Sequence, residues 1–508
     1  MIARRLRFLF SSTKGLVLAA IAMISLVTAF WGTLSGPMAE WGVRDVVVRV
    51  TGMDLDPAER EGRIIMLYHC IAMAVVAIEV YLITGALAMR AYWRTVINAT
   101  VTVGYMSAMI FGLIFGYFGH NWIFHGLFIF GQCLMFFSGV LLCVALWPWR
   151  EEFRIQDPDY AHTRGGVDLE RVAFFTMAAA TLASALFGAI PGAYFGNGFE
   201  TFLAENVVRD PHKPVLQRAV IGHLHIMLSL IGVAITLLVG RWQDFKGTLH
   251  KIGMPLMIIG TIILSIGAWS VTVAEWAHVV IYIGSVPVLL CGLCFVIFSW
   301  DKLIRTGLRE RGLTKGGAWQ KVQALVRDPL RFGVGWQMVF MNFTVSFVGL
   351  FTAAKLEDIF RVWSHREERL LLTGHWHVLA SLIATIILLY YADLAGLKGR
   401  VRKWFGWLII LGSDLAFAAV TVFEEKRLFV SEAAQQPVVD WTMILNEVGL
   451  GTVLVVLAAL MIWRLVDLFR DQGRWVEEHA QTGLDADAPM TSIPLYPSPS
   501  ETPQEVEA

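Results

Sequence analysis

Apolar residues along this chain come in blocks of about 20, parted by short stretches rich in charge, Gly or Pro. A block of that length crosses a hydrocarbon core of ~30 Å as an α-helix. Twelve blocks predict helices near 16–35, 65–88, 97–118, 122–147, 171–192, 217–239, 252–275, 279–299, 334–354, 370–391, 405–422 and 443–466. Only Glu275 and His278 interrupt the stretch 252–299, and they set the cut between the seventh and eighth helices. Lipid offers unpaired backbone groups no partner, so the pattern predicts an all-α polytopic membrane protein. The alternating ten-residue stretches of an outer-membrane barrel are absent. The chain divides into a basic N-terminus (1–15), a twelve-helix transmembrane domain (16–466) and a tail (467–508). From about residue 471 the tail is rich in Pro, Ser and acids and is expected to be disordered.

Composition agrees. Apolar residues make up 56% of the 508 positions and charged residues 16%, with a mean hydropathy of +0.61. Soluble chains sit near ~45–50% and ~25%. Net charge is zero, which gives no reason to expect nucleic acid as a partner. The opening MIARRLRFLFSSTKG and its apolar run superficially resemble a signal peptide, but the run is long and lacks a small-residue cleavage site. It reads as a retained first helix. Cys70, Cys133, Cys143, Cys291 and Cys294 all fall within apolar spans, so no disulfide framework is expected. The C-x-x-C of Cys291 and Cys294 reads as small buried hydrophobes. No C-x-x-C-H occurs, which excludes a covalent c-type heme.

Lys and Arg set the orientation. RRLR, RAYWR, the 148–170 loop, RWQDFKGTLHK, GLKGRVRK and the 300–333 loop carry roughly twice the basic residues of the opposite side. Both termini are therefore expected in the cytoplasm.

Histidines then fall in register. His69 begins the second helix, His223 and His225 the sixth, and His375 and His377 the tenth, while His278 ends the seventh. In this topology all lie in the outer third of the bilayer, and intramembrane ionisable residues are candidates for function. The pair in GHWHVLAS, His375 and His377, points about 200° apart on a helix. An H-x-H helix can thus ligate two irons, one on each side, and histidine is a common axial ligand of heme iron. One heme closed by a second histidine is six-coordinate and transfers electrons; the other stays open to a gas. Two polar residues packing on neighbouring helices is the alternative. IGHLHIMLSL, with His223 and His225, repeats the device. Glu275 and His278 stand at i, i+3, a spacing that suits a non-heme metal; an interfacial turn at a helix end is the alternative.

Other polar residues say less. His120 and His125 read as interfacial, His212 and His250 as loop residues, and His365 as outside the tenth helix. Glu79 and Asp414 lie within spans and suit a proton path or a buried hydrogen bond. Arg361, Arg366 and Arg369 suit heme propionates or interfacial anchoring.

Twelve helices with histidines on the second, sixth, seventh and tenth resemble the catalytic subunit of the heme-copper oxidase superfamily, which comprises terminal oxidases and nitric oxide reductases. The likeness covers about residues 16–466. It is carried by His69 in LYHCIAMA, His223 in IGHLHIML, WAHV with His278, the eighth-helix FSW (Phe298–Trp300), and above all the tenth-helix H-x-H. DLAFAAVTVFEEKR in the eleventh helix resembles the nitric oxide reductase branch. The resemblance implies that His69 and His377 bracket a low-spin heme b and that His375 holds a high-spin heme b. It implies that His223 and His278 hold non-heme iron or copper, with Glu275 or His225 completing the coordination as catalytic groups. Electrons would come from quinol or a partner cytochrome, with a small accessory subunit as a further partner. The setting would be a bacterial-type inner membrane, with the metal sites near its outer face.

Two departures bear on the reaction. Val279 replaces the second histidine of the seventh-helix pair, and Met227 stands where oxidases have tyrosine. No eighth-helix Lys proton channel is evident. These favour nitric oxide reduction over oxygen reduction. The rival is a b-type heme protein that transfers electrons or senses a gas without turnover. A transporter would show inverted repeats and broken helices, and none is convincing.

Overall fold

The computed structural model describes residues 2–35, 41–51, 60–118, 122–194, 215–360, 362–363 and 365–480. Among them there is no strand, only an isolated bridge between His162 and Asp168. Seventeen helices are present: α1 (Ile2–Ser11), α2 (Thr13–Ser35), α3 (Val43–Thr51), α4 (Arg60–Ala86), α5 (Ala91–Phe118), α6 (Trp122–Leu146), α7 (Leu169–Tyr194), α8 (Val215–Trp242) and α9 (Thr248–Ser270). There follow α10 (His278–Arg309), α11 (Ala318–Leu325), α12 (Pro329–Val339), α13 (Ser346–Ala354), α14 (His365–Leu394), α15 (Gly399–Phe429), α16 (Gln435–Phe469) and α17 (Arg474–Ala480). Among the described residues, twelve helical stretches are long and apolar enough to cross a membrane. They are α2, α4–α10, α12 with α13, and α14–α16. The chain is a multi-pass α-helical membrane protein.

Sequential spans pair as antiparallel hairpins, and glycines let their backbones approach. A Cβ on Gly131 of α6 would stand 2.5 Å from the Ala108 amide of α5, and one on Gly284 of α10 would stand 2.3 Å from the Leu264 amide of α9. Small residues are the usual means of close helix contact in lipid, where no hydrophobic force separates helix from solvent. In the ninth span, α12 and α13 are joined by a π-helical turn, Phe340–Val345.

The boundary between the seventh and eighth spans differs from the sequence expectation. α9 stops at Ser270 rather than 275, Glu275–Ala277 forms a 3₁₀ turn, and His278 opens α10 instead of closing the seventh span. The cause is local. Val271, Thr272 and Val273 are β-branched, and the Thr272 hydroxyl donates to the Trp269 carbonyl at 2.7 Å, competing with helix propagation.

Polar contacts hold the end of the bundle to which the basic loops belong. Arg171, 2% exposed, donates to the carbonyls of Leu146 (3.1 Å), Ala145 (2.7 Å) and Ala88 (2.9 Å), so one guanidinium closes the open end of α6 and the α4–α5 turn. Asp168 caps α7 by accepting from the amides of Glu170 (2.9 Å) and Arg171 (3.2 Å). Arg402 bridges Asp328 and Asp393, and Arg464 bridges Asp467 and Glu478. The 150–168 loop joins this layer: the Ala161 amide donates to Nδ1 of His250 at 3.0 Å. His250, expected in a loop, is inside α9 and 1% exposed.

The termini also meet here. Phe8 of α1 is buried against Trp475 of α17, ring centroids 6.2 Å apart, and Arg5 pairs with Asp471 at 2.9 Å. The tail expected to be disordered from about 471 is therefore helical over Arg474–Ala480. An aromatic pair and the Arg464–Glu478 bridge anchor it.

Replacing Arg171 with Met keeps the chain's bulk but strands three carbonyls. We expect a loss of about 3 kcal/mol or more, read as a lowered Tm in detergent. Arg171→Lys, with one donor group in place of a fork, should recover only part. Burial and the neighbouring Glu170 raise the Asp168 carboxyl to about 6. The folded state then holds this proton more tightly than the unfolded chain. Its contribution to stability is complete below about pH 4 and is lost as pH rises through about 6. Asp168→Asn should abolish that component of the Tm-versus-pH curve.

Candidate functional site

Three helices form the interior of the bundle. The candidate spans in α4, α8 and α14, the second, sixth and tenth, are each 61% inside the protein, against 22–50% for the other nine. α4 packs on α8, and α8 on α14. Each carries a histidine at a matching height. His69 precedes the end of α4 at Ala86 by 17 residues, His223 the end of α8 at Trp242 by 19, and His375 the end of α14 at Leu394 by 19. At 1.5 Å per residue these lie about 25–29 Å above the polar end. Counted from their own helix ends, these three histidines stand at similar heights.

The rings are held from behind. His223 donates through Nδ1 to the Ser184 carbonyl of α7 at 2.8 Å. A carbonyl can only accept, so in the neutral ring Nε2 carries the lone pair. This backing of one nitrogen by a carbonyl is the usual arrangement behind a metal-binding imidazole. The ring lies flat against Gly188, where a Cβ would come within 2.3 Å of Nδ1. Ser184 is fixed in turn by Trp269, whose indole N–H donates to its hydroxyl at 3.2 Å. His69 has Gln132 of α6 at Nδ1 (3.2 Å) and Phe128 edge-on at 6.3 Å. Either end of the Gln132 amide can serve, so it supports His69 in either tautomer.

The two histidines of α8 take different sides, as an H-x-H helix requires. While His223 turns to α7, His225 meets Trp376 of α14 edge-on, ring centroids 5.6 Å apart. Nε2 of His375 reaches the backbone of α13 at Gly349, where a Cβ would come within 2.6 Å. The layer thus holds His69 against α6, His223 against α7, His225 against Trp376 of α14 and His375 against α13.

Other sequence candidates are placed differently. His377 is exposed, two residues round the helix from His375. His278 is exposed at the start of α10, beside Trp276 and Val279, which are 71% and 55% exposed. Glu275 lies in the 3₁₀ turn before it. His125 is buried in α6 and stacks on Trp122, and His365 begins α14. His120, His212 and Arg361 lie outside the described residues, while Arg366 and Arg369 fall in the first turns of α14. Asp414 accepts from the Trp336 indole (2.7 Å) and Gln337 (3.3 Å), which makes it a half-buried hydrogen-bond centre. Glu79 is 4% exposed, with one carboxyl oxygen unpartnered.

The sequence reading passed over three contributors. Gln132 and Ser184 act on histidines that lie 63 and 39 positions away, and Ser184 does so through its carbonyl. Glu424, in the eleventh-helix motif, is buried against α14 at Gly374, the residue before His375. Its carboxyl fills the space a side chain at 374 would need.

The donor set is of the kind that holds heme: imidazoles on helices that pack on one another, two of them backed through Nδ1, with glycines where rings meet backbone. It does not fit the implied non-heme metal. His223 is held toward α7, His278 is exposed, and Val279 replaces a third donor. No protein-family model, curated protein or solved structure matches this chain.

Gly188→Ala should drive the His223 ring off the Ser184 carbonyl and lower stability by about 2 kcal/mol, read from thermal unfolding in detergent. Gly126 of α6 has no atom within 4 Å of an added Cβ. Gly126→Ala should be neutral, or stabilising by up to about 1 kcal/mol.

Proposed function

We propose that the chain is a heme-containing membrane oxidoreductase that binds and reduces a small gas, nitric oxide foremost, at the heme held by His375. The observation that carries this reading is that the three innermost helices each bear a histidine at a similar height, two of them held through Nδ1. Bound heme would supply the redox-active iron. His375 is the residue to hold the gas-binding heme, and His225 of α8, edge-on to the neighbouring Trp376, would donate a hydrogen bond to a small ligand. Glu424 places a carboxyl beside the residue preceding His375, where it can pass a proton toward the site. Electrons would enter from quinol or a cytochrome through a low-spin heme b. The membrane would be a bacterial-type inner membrane, with the histidine layer toward its outer face.

A second reading, electron transfer or gas sensing without turnover, is favoured by one observation. His278 is exposed and Val279 follows it, so the non-heme donors do not gather.

Optical spectra of the purified protein, reduced and then exposed to nitric oxide, test the reading. One heme should stay six-coordinate and a second should bind the gas. His375→Ala should abolish the gas-bound form and spare the six-coordinate signal. Gas binding that survives His375→Ala contradicts the assignment. Binding without consumption of nitric oxide by the reduced protein selects the second reading.

A further inference from the structure

At the polar end of the bundle the fold fixes the tautomer of His250. The ring is 1% exposed, and the Ala161 amide donates to its Nδ1 at 3.0 Å. An amide can only donate, so Nδ1 carries the lone pair and, in the neutral ring, Nε2 carries the proton. Nε2 stands 3.5 Å from Oε2 of Glu170, a buried carboxylate at the start of α7. Tyr160 and Phe245 meet the ring edge-on, centroids 5.6 and 5.1 Å away, and hold its orientation. Charge around the ring comes from every side. Asp168 lies two residues before Glu170, and Arg241 of α8 pairs with Glu170 at 3.6 Å. Asp244 pairs with Lys246 and with Lys302 of α10, and Cys291 of α10 lines the same small cavity as His250 and Glu170. Asp157 and Asp159 in the loop are exposed, as is Lys251 beside His250 on α9.

An imidazolium donates through both nitrogens and accepts through neither. A second proton on His250 therefore sets N–H against the Ala161 N–H, while it gains a charge beside Glu170. Ala161 is 2% exposed, so its amide is left a buried donor without a partner unless the segment moves. We propose that His250 is a proton-operated latch: the neutral ring holds the 150–168 loop to α9, and acidification on the side of the basic loops releases it at Ala161. The proton taken up goes to Nδ1, and Glu170 retains the resulting cation. The release is local, because the Tyr160 hydroxyl still donates to Asp244 at 2.9 Å and the Gly247 amide to the Asp159 carbonyl at 2.6 Å.

The test is amide hydrogen exchange of the full chain in detergent at about pH 8 and about pH 5, the interval in which imidazoles titrate. Protection is read at peptides containing Ala161 and corrected for the intrinsic pH dependence of exchange. Wild-type protection should fall about tenfold or more on acidification. In His250→Asn the side-chain oxygen takes the place of Nδ1 and cannot titrate, so protection should be equal at both pH values. Asp168 titrates in the same interval, at about 6, and Asp168→Asn should keep the wild-type fall. Protection across 257–264 of α9 reports that each variant is folded; should His250→Asn lose it, His250→Gln, also a non-titrating acceptor, takes its place. Equal wild-type protection at both pH values overturns the proposal. So does a wild-type fall in the non-titrating variant, or loss of the fall in Asp168→Asn, which would make Asp168 its source.

Discussion

An imidazole ring taken out of water into a helix bundle must find partners for both nitrogens. An unmet polar group in an apolar interior costs on the order of 1–3 kcal/mol. This protein places such rings on its three most buried helices, at one level. His223 meets the demand at Nδ1 through the Ser184 carbonyl, and His69 through Gln132. What faces Nε2 of each ring is then the chemical question the fold poses. Under the proposed function, heme iron would answer it.

The two ends of the bundle do different work. At the polar end, charges are matched to fixed acceptors: Arg171 to three helix-end carbonyls, Arg402 to Asp328 and Asp393, and Arg464 to Asp467 and Glu478. These contacts fix the heights of the helices relative to one another. Some 25–29 Å away at 1.5 Å per residue, those heights become the common level of His69, His223 and His375. A slip of α8 by one turn would move His223 about 5 Å and separate it from Ser184. The ion-paired end and the histidine layer are parts of one device, coupled through stiff helices.

Sequence alone reveals much of this and misses identifiable parts. Twelve spans follow from hydropathy, because lipid forces every crossing segment to be a long apolar helix. The histidine register follows from span boundaries. What no periodicity shows is which neighbour a given helix face meets, since that depends on contacts between distant segments. His69 and Gln132 are 63 positions apart, and Ser184 contributes a backbone atom that any residue would carry. The end of α9 at Ser270 was obscured because Val271–Val273 look as apolar as a helix interior. His250 beside RWQDFKGTLHK reads as a loop residue, yet it is buried because the Ala161 amide claims its Nδ1. The folded segment 474–480 hides in a polar tail, betrayed only by Trp475.

The central claim is that the histidine layer holds heme. Its most direct test is the heme content of the purified full chain, measured by alkaline pyridine hemochrome against protein mass. Two hemes b per chain is the predicted result. A chain that folds to its helical content and binds no heme, even when heme is supplied during expression, would contradict the account.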